Sequence, residues 1–494
     1  MRRVGSSELA GSSPSLDPLA RASFGGTGPF EGPVLEVSAM HARAAAALAL
    51  LAGTAPASSP TPDLPQIAFE KYTLANGLEV ILHEDHRMPE VVVDVWYKVG
   101  SRDEAPGHTG FAHLFEHVMF QGTKHVPEDK HFEYLQKAGA SNVNGSTSSD
   151  RTNYFEVVPS NQLELALWLE SDRMGFLLDR PSFKETLDNQ REVVKNEKRQ
   201  RYENRPVGLI SKILAEALYP PDHPYHHEVI GSMEDLGAAS VADVKAFFRT
   251  YYAPANATLT IAGDFDRPKL KELVDKYFGP IPAGEPVPRR PGGVVHLAAP
   301  KRIAMEAKIQ QPQLTVDYPS PANFTPGDRE LDVLANVLGN GKSSRLYKRL
   351  VYDLKIAQSV SAAQQSQLLS STFEITASPM PGHTLDEILA VIDEQIAGLQ
   401  EKPIEAAELE RGKNQIESET VRSLEPLLAR AERLQSYNDF LNDPGFVTED
   451  LRRYRAVDAA SIQRVAHEIL RKDGRVVVTV DPNPDAPIMG RVKK

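Results

Sequence analysis

Cysteine is absent from the 494-residue chain, which removes disulfides, thiolate metal ligands and a cysteine nucleophile together. Any metal has to sit on histidine and carboxylate. The same absence leaves the compartment open, because a chain without thiols tolerates reducing and oxidising surroundings alike. Long apolar runs are missing too: no window approaches the roughly eighteen uninterrupted apolar residues of a membrane span. The mature chain therefore reads as soluble, with no membrane span. There is also no run of Lys and Arg able to track a phosphate backbone, and 55 basic against 67 acidic side chains leave a net charge of −12. No nucleic acid is expected as a partner.

What is present is a globular composition, 41% apolar and 25% charged, over a length that predicts two to four domains. Residues 1–65 read as a disordered N-terminal region rich in Gly, Ser and Pro. Within it, Met40-His41-Ala42-Arg43, the apolar stretch Ala44 to Gly53 and the small residues Ala55-Pro56-Ala57 resemble a secretory signal, residues 40–57. Translation from Met40 predicts a periplasmic or secreted protein; translation from Met1 predicts a cytoplasmic one.

From Ile67 onward the pattern becomes structural. Asn76-Gly77 between alternating apolar runs predicts a two-residue hairpin, and Val91 to Tyr97 predicts a strand. Helical windows follow at Thr109 to Gln121, Ser160 to Leu178, Ser182 to Tyr202 and Val241 to Tyr252, the last leading into a strand at Ala257 to Ala262. Strands and helices alternate without βαβ regularity, which predicts the α+β class. Prolines at 280, 282, 286, 288 and 291 mark a linker, residues 281–300, between domains 66–280 and 301–490. The second part repeats the first. Ala238-Ala239-Ser240 and Ala459-Ala460-Ser461 each precede a helix and a strand and lie 221 residues apart, and helices ending at Gly122 and Gly339 lie 217 apart. Two agreeing offsets predict a duplicated unit.

The densest chemical constellation is His113-Leu114-Phe115-Glu116-His117. On a helix, positions i, i+3 and i+4 share one face, so both imidazoles and the carboxylate project to the same side. Phe111, Leu114, Phe115 and Val118 form an adjoining apolar stripe, and Gly122 is the expected helix end. Two neutral imidazoles and one further carboxylate would hold Zn²⁺, one per chain, with a position open for water. Glu116, beside the ligands but not one of them, can act as general base. The alternative is a solvated polar face with a local His-Glu pair. A third ligand is expected on a facing helix. Glu197 shares a stripe with Val194, Val193 and Gln190, whereas Glu192 faces solvent; phase alone leaves Glu185 and Glu203 open.

These residues resemble the pitrilysin or insulinase family of zinc metallopeptidases, bacterial processing-peptidase-like, through the inverted H-x-x-E-H signature. Gly107 to Ala112 before the motif and Val118 to Thr123 after it extend the match, as do Asn144 to Thr147, Thr152-Asn153-Tyr154, Val193 to Glu197, Asn204-Arg205-Pro206 and His223-Pro224-Tyr225. The resemblance implies two homologous α+β domains forming half of a clamshell, zinc ligands His113, His117 and Glu197, and Glu116 as catalytic base. It further implies that Asn144 lies on a strand whose edge receives substrate peptides; from the residues alone Asn144 equally suits a turn. His108, His125, His131, His226 and His227 read as surface or structural.

The sequence departs from the family pattern at several places. Gln190 stands where a second Glu is common, and would support the metal site with a neutral amide. Val351 and Gln358 stand where active members carry an Arg and a Tyr that hold the substrate. Leu331, Leu334 and Ala335 replace the metal motif in the second copy. The missing pair is therefore expected from a homologous partner subunit in a heterodimer, or in a homodimer or within the chain from Arg345, Arg349 or Tyr352. The resemblance implies an endopeptidase acting on peptides or unfolded segments; the competing reading is a catalytically silent assembly subunit, as some relatives are.

Overall fold

The computed structural model describes residues 64–493; the proposed signal at 40–57 and the rest of the expected disordered region up to residue 63 lie outside the described residues. Two six-stranded mixed sheets organise the chain. The first contains β1 (Glu70–Thr73), β2 (Glu79–Glu84), β3 (Glu90–Tyr97), β4 (Ser141–Thr147), β5 (Thr152–Pro159) and β6 (Ala257–Gly263), in the order β1-β2-β6-β3-β5-β4. The second contains β7 (Lys301–Ala307), β8 (Gln313–Ser320), β9 (Ala357–Gln365), β10 (Ser371–Pro379), β11 (Val476–Pro482) and β12 (Arg491–Val492), in the order β12-β7-β11-β8-β10-β9. Five strands match one for one, including the single parallel pair, β2 with β6 and β7 with β11. The sixth differs: the N-terminal hairpin supplies β1, whereas the chain's end supplies β12. This is the α+β duplication that the offsets predict.

The hairpin closes differently from expectation. Leu74 N donates to Leu78 O and Gly77 N to Leu74 O, both at 2.9 Å, so three residues, Ala75 to Gly77, make the loop. Gly77 takes φ +87°, the left-handed position that closes a three-residue loop with a bulge. Asn76 is freed from the tight turn, and its amide donates to Phe278 O and Ile281 O at 2.8 and 2.9 Å.

Helices α1 (Phe111–Val118), α2 (Lys130–Lys137), α3 (Leu163–Phe176) and α4 (Phe183–Lys198) lie with the helices Val241–Tyr251 and Arg267–Phe278 over one face of the first sheet. Val91, Val93 and Val95 of β3 point into that core, while Val92 points to the other face with Val157 and Ala262. That other face is covered by the helix Leu427–Leu441 from the second half, through Ala431, Leu434 and Tyr437. The return exchange is α5 (Ile210–Leu218), whose Ile213, Ala217 and Leu218 pack on Val476, Val478 and Val480 of β11. Each half thus lends a helix to the other's sheet, and residues 63–494 form one compact unit. Between Phe278 and Lys301 there is no helix or strand. This segment is tied to the first half by Arg289 on Asp103 at 3.0 Å and Arg290 on Glu104 O at 2.6 Å.

Candidate metal centre

Helix α1 begins without a Ser, Thr or Asp cap. Gly110 enters it at φ +90°, and the buried Glu104 carboxylate accepts from Gly110 N and Ala112 N, both at 2.8 Å, satisfying donors at a helix start that favours an anion. Phe111, Leu114, Phe115 and Val118 are fully buried, which fixes the rotation of the helix. His113, Glu116 and His117 then fall on the side facing α4 and β4. The helix stops at Val118, short of the expected Gln121, because Phe120 N and Gln121 N bond three residues back to His117 O and Val118 O and tighten the chain out of the α form.

Along α4 the buried residues are Phe183, Thr186, Leu187, Gln190 and Val194, and Glu197 continues that stripe. Val193 does not belong to it, being 39% exposed; its place on the helix is one residue off the packed face. Glu197 Oε2 lies 3.7 Å from His113 Nε2 and 3.1 Å from His117 Nε2, and the imidazole centroids are 4.9 Å apart. The structure therefore brings His113, His117 and Glu197 to one point. Glu185 and Glu203 are not part of that group. Burial, then the charge of His117, pushes the His113 imidazole down from its ordinary value, favouring the neutral donor form. The hydrogen bond with His117, with Arg201 nearby, holds the Glu197 carboxyl below its usual range against burial. Two neutral imidazoles and a carboxylate fit Zn²⁺ with a fourth place open.

Glu116 stands beside these three. Burial pushes its carboxyl above the usual carboxylate range, while Thr147 and His117 pull it back. Thr147 Oγ1 donates to Glu116 Oε2 at 2.6 Å. Arg201, on the π-helical turn Arg199–Glu203 that continues α4, reaches Glu197 Oε1 at 3.0 Å. Neither Thr147 nor Arg201 was indicated by the sequence motif. Arg201 follows Glu197 by one helical turn, and Thr147 would emerge from period-two alternation once Asn144 to Thr147 is read as a strand.

Other expectations are placed as follows. Asn144 is exposed on β4, the outermost strand of its sheet, and its Oδ1 accepts from Gly145 N at 2.9 Å; it is a strand residue and not a turn. Gln190 is buried, and among the described residues it makes no hydrogen bond to the group. Arg345 is engaged by Glu408 at 2.8 and 2.7 Å, and Arg349 lies 3.5 Å from Glu394. Tyr352 is 75% exposed. Leu331, Leu334 and Ala335 are buried core residues of the helix Asp328–Leu338. His131, expected at the surface or in a structural role, is buried with Glu156 and Glu170, and Arg173 pairs with Glu170 of that group through Nε at 2.9 Å.

Residues 79–224 match the model of the insulinase family, peptidase family M16, and residues 238–416 match that of the M16 peptidase inactive domain. The chain belongs to the M16 peptidase family. Among M16 relatives, the zinc protease PqqE of Helicobacter pylori is 29% identical over 84% of this chain and 93% of its own. An uncharacterized zinc protease of Bacillus subtilis, YmxG, is 24% identical over 85% of this chain and 99% of its own. The crystal structure of a protease from Helicobacter pylori superposes with TM-score 0.78 at 28% identity, covering 84% of this chain and 100% of that one. The periplasmic protease PqqL of Escherichia coli shares the fold at TM-score 0.72 and 19% identity, over 85% of this chain and 48% of PqqL. The M16 neighbours have the two-domain clamshell-half architecture seen here.

Proposed function

We propose that this chain is a zinc-dependent endopeptidase that hydrolyses peptides or unfolded segments, with residues 66–280 as the metal-binding half, 281–300 as the linker and 301–490 as a homologous half without ligands. The observation that carries the reading is the convergence of His113, His117 and Glu197 from two helices with Glu116 alongside. When bound, zinc would supply a Lewis acid that polarises a carbonyl and acidifies water. Glu116 takes a proton from the attacking water and later passes it to the leaving amine. Strand β4 pairs on one side only, so a peptide can add to its free edge, with Asn144 among the residues it meets.

Val351 and Gln358 leave this chain without the Arg and Tyr of the family pattern. We assign that pair to a homologous partner subunit, closing a two-chain chamber. The PqqL match supports this, since the fold here corresponds to about half of that longer chain. The signal-like segment 40–57 supports a periplasmic or secreted location, and the structurally similar PqqL is a periplasmic protease; among the described residues no helix is long and apolar enough to cross a membrane. One observation favours the silent-subunit reading, the same loss at Val351 and Gln358.

The deciding experiment measures cleavage of a quenched fluorescent peptide by the wild type and by Glu116→Gln, each alone and with a homologous subunit that carries the Arg and Tyr. The peptidase reading predicts retained zinc and a loss of about 10²- to 10⁴-fold in kcat for the variant. No cleavage by zinc-loaded wild type in either setting refutes it.

A further inference from the structure

Strand β4 does more than offer an edge. Gly145 and Thr147, two apart and so on one face of the strand, both meet Glu116. A Cβ at Gly145 would lie 3.1 Å from Glu116 Cγ, tighter than ordinary contact, so the absence of a side chain lets the Glu116 stem lie flush against the strand. Thr147 Oγ1 then supplies the one side-chain hydrogen bond to Glu116 among the described residues, 2.6 Å to Oε2. The donor is itself held in place. Thr147 pairs with Thr152 in the β4–β5 register, its β-branched side chain has few rotamers, and Arg151 Nη1 donates to the carbonyl of the preceding residue, Ser146, at 2.8 Å. The Arg151 guanidinium in turn lies 5.0 Å from the centroid of Trp96.

The geometry points to Thr147 as a positioning residue of the reaction proposed above: by holding Oε2 it fixes the plane of the Glu116 carboxylate and leaves Oε1 as the oxygen that accepts the proton of the attacking water. This inference rests on the peptidase reading. In the step, the water O–H bond breaks toward Oε1 while the water oxygen bonds to the scissile carbonyl carbon. The C–N bond then breaks as the nitrogen takes the proton back from Oε1, and Glu116 ends as it began. A glutamate has three side-chain torsions, and without an anchor its carboxylate samples several staggered arrangements. A hydrogen bond to a charged group is a strong restraint on that freedom.

The test compares Thr147→Val and Thr147→Ser with the wild type. Valine keeps the β-branched shape and removes the donor; serine keeps the donor. In crystal structures of the zinc-loaded proteins, Glu116 is expected in one conformer in the wild type and the Ser variant, and rotated or split between conformers in the Val variant. In peptide hydrolysis, Thr147→Val is expected to lower kcat about 10- to 100-fold with KM within about twofold and zinc content unchanged, and Thr147→Ser to recover most of the rate. An unmoved Glu116 in the Val variant, an unchanged kcat, or a Ser variant as impaired as the Val variant overturns the inference. A wild type that binds zinc but cleaves nothing sinks the peptidase reading instead, and the conformer comparison still decides whether Thr147 holds Glu116.

Discussion

Glu197 has two oxygens with different neighbours. Oε2 faces the two imidazoles, and Oε1 faces Arg201 at 3.0 Å. That division fixes which oxygen can serve as a donor, in the way that outer hydrogen bonds orient metal ligands generally. Arg201→Ala should therefore weaken zinc binding by about tenfold, at the low end for such partners because the Arg201 side chain is 66% exposed. A competition titration against a chromophoric chelator measures this directly, and an unchanged affinity shows that Glu197 is held by packing alone. The pair of imidazoles was legible in the sequence, because H-x-x-E-H spacing maps onto one helical face, whereas helical phase left Glu197 beside Glu185 and Glu203 and the family resemblance singled it out. Arg201 and Thr147 were not: an Arg among the charges of the window Ser182 to Tyr202 has nothing to single it out, and Thr147 sits in a Ser-, Asn- and Gly-rich stretch that suits a turn as well as a strand.

At the scale of elements, the two exchanged helices matter most. The helix Leu427–Leu441 buries Leu434 and Tyr437 against the first sheet, and Gln435 Nε2 donates to Asp94 O and Thr258 O, both at 3.0 Å. No helical window is expected there from the sequence, and periodicity in any case encodes a face and not a partner. The three-valine run of β3 was the available hint, because a strand apolar at successive positions is covered on both faces. Glu79 of β2 lies in this seam. Burial pushes its carboxyl up, but hydrogen bonds from Lys71, Lys98 and Asn438 outweigh that and bring it from 4.5 down to about 2. A depressed carboxylate contributes stability that is present above its unfolded value and lost as pH falls from about 4.5 toward 2, here about 3 kcal/mol in full. Urea unfolding of the wild type and Glu79→Gln should show the wild type's advantage at pH 6 shrinking by pH 3; an advantage independent of pH contradicts the assignment.

For the whole molecule, the two halves share five strands in the same order, and among the described residues both His-carboxylate clusters lie in the first half. Leu331, Leu334 and Ala335 fill the second half's core where the first presents its motif, so the second half contributes architecture, its lent helix included. The class and the repeat were readable because repeated helix-strand order is a local feature. Of the sixth strands, β1 follows from the hairpin read around Asn76-Gly77, whereas no local signal marks the two-residue β12. The account stands on one point of convergence between α1 and α4. Metal analysis by inductively coupled plasma mass spectrometry, run in parallel on the purified wild type and Glu197→Ala, tests it most directly. One zinc per wild-type chain and close to none in the variant is the predicted result; a metal-free wild type, or a variant that keeps its zinc in full, contradicts it.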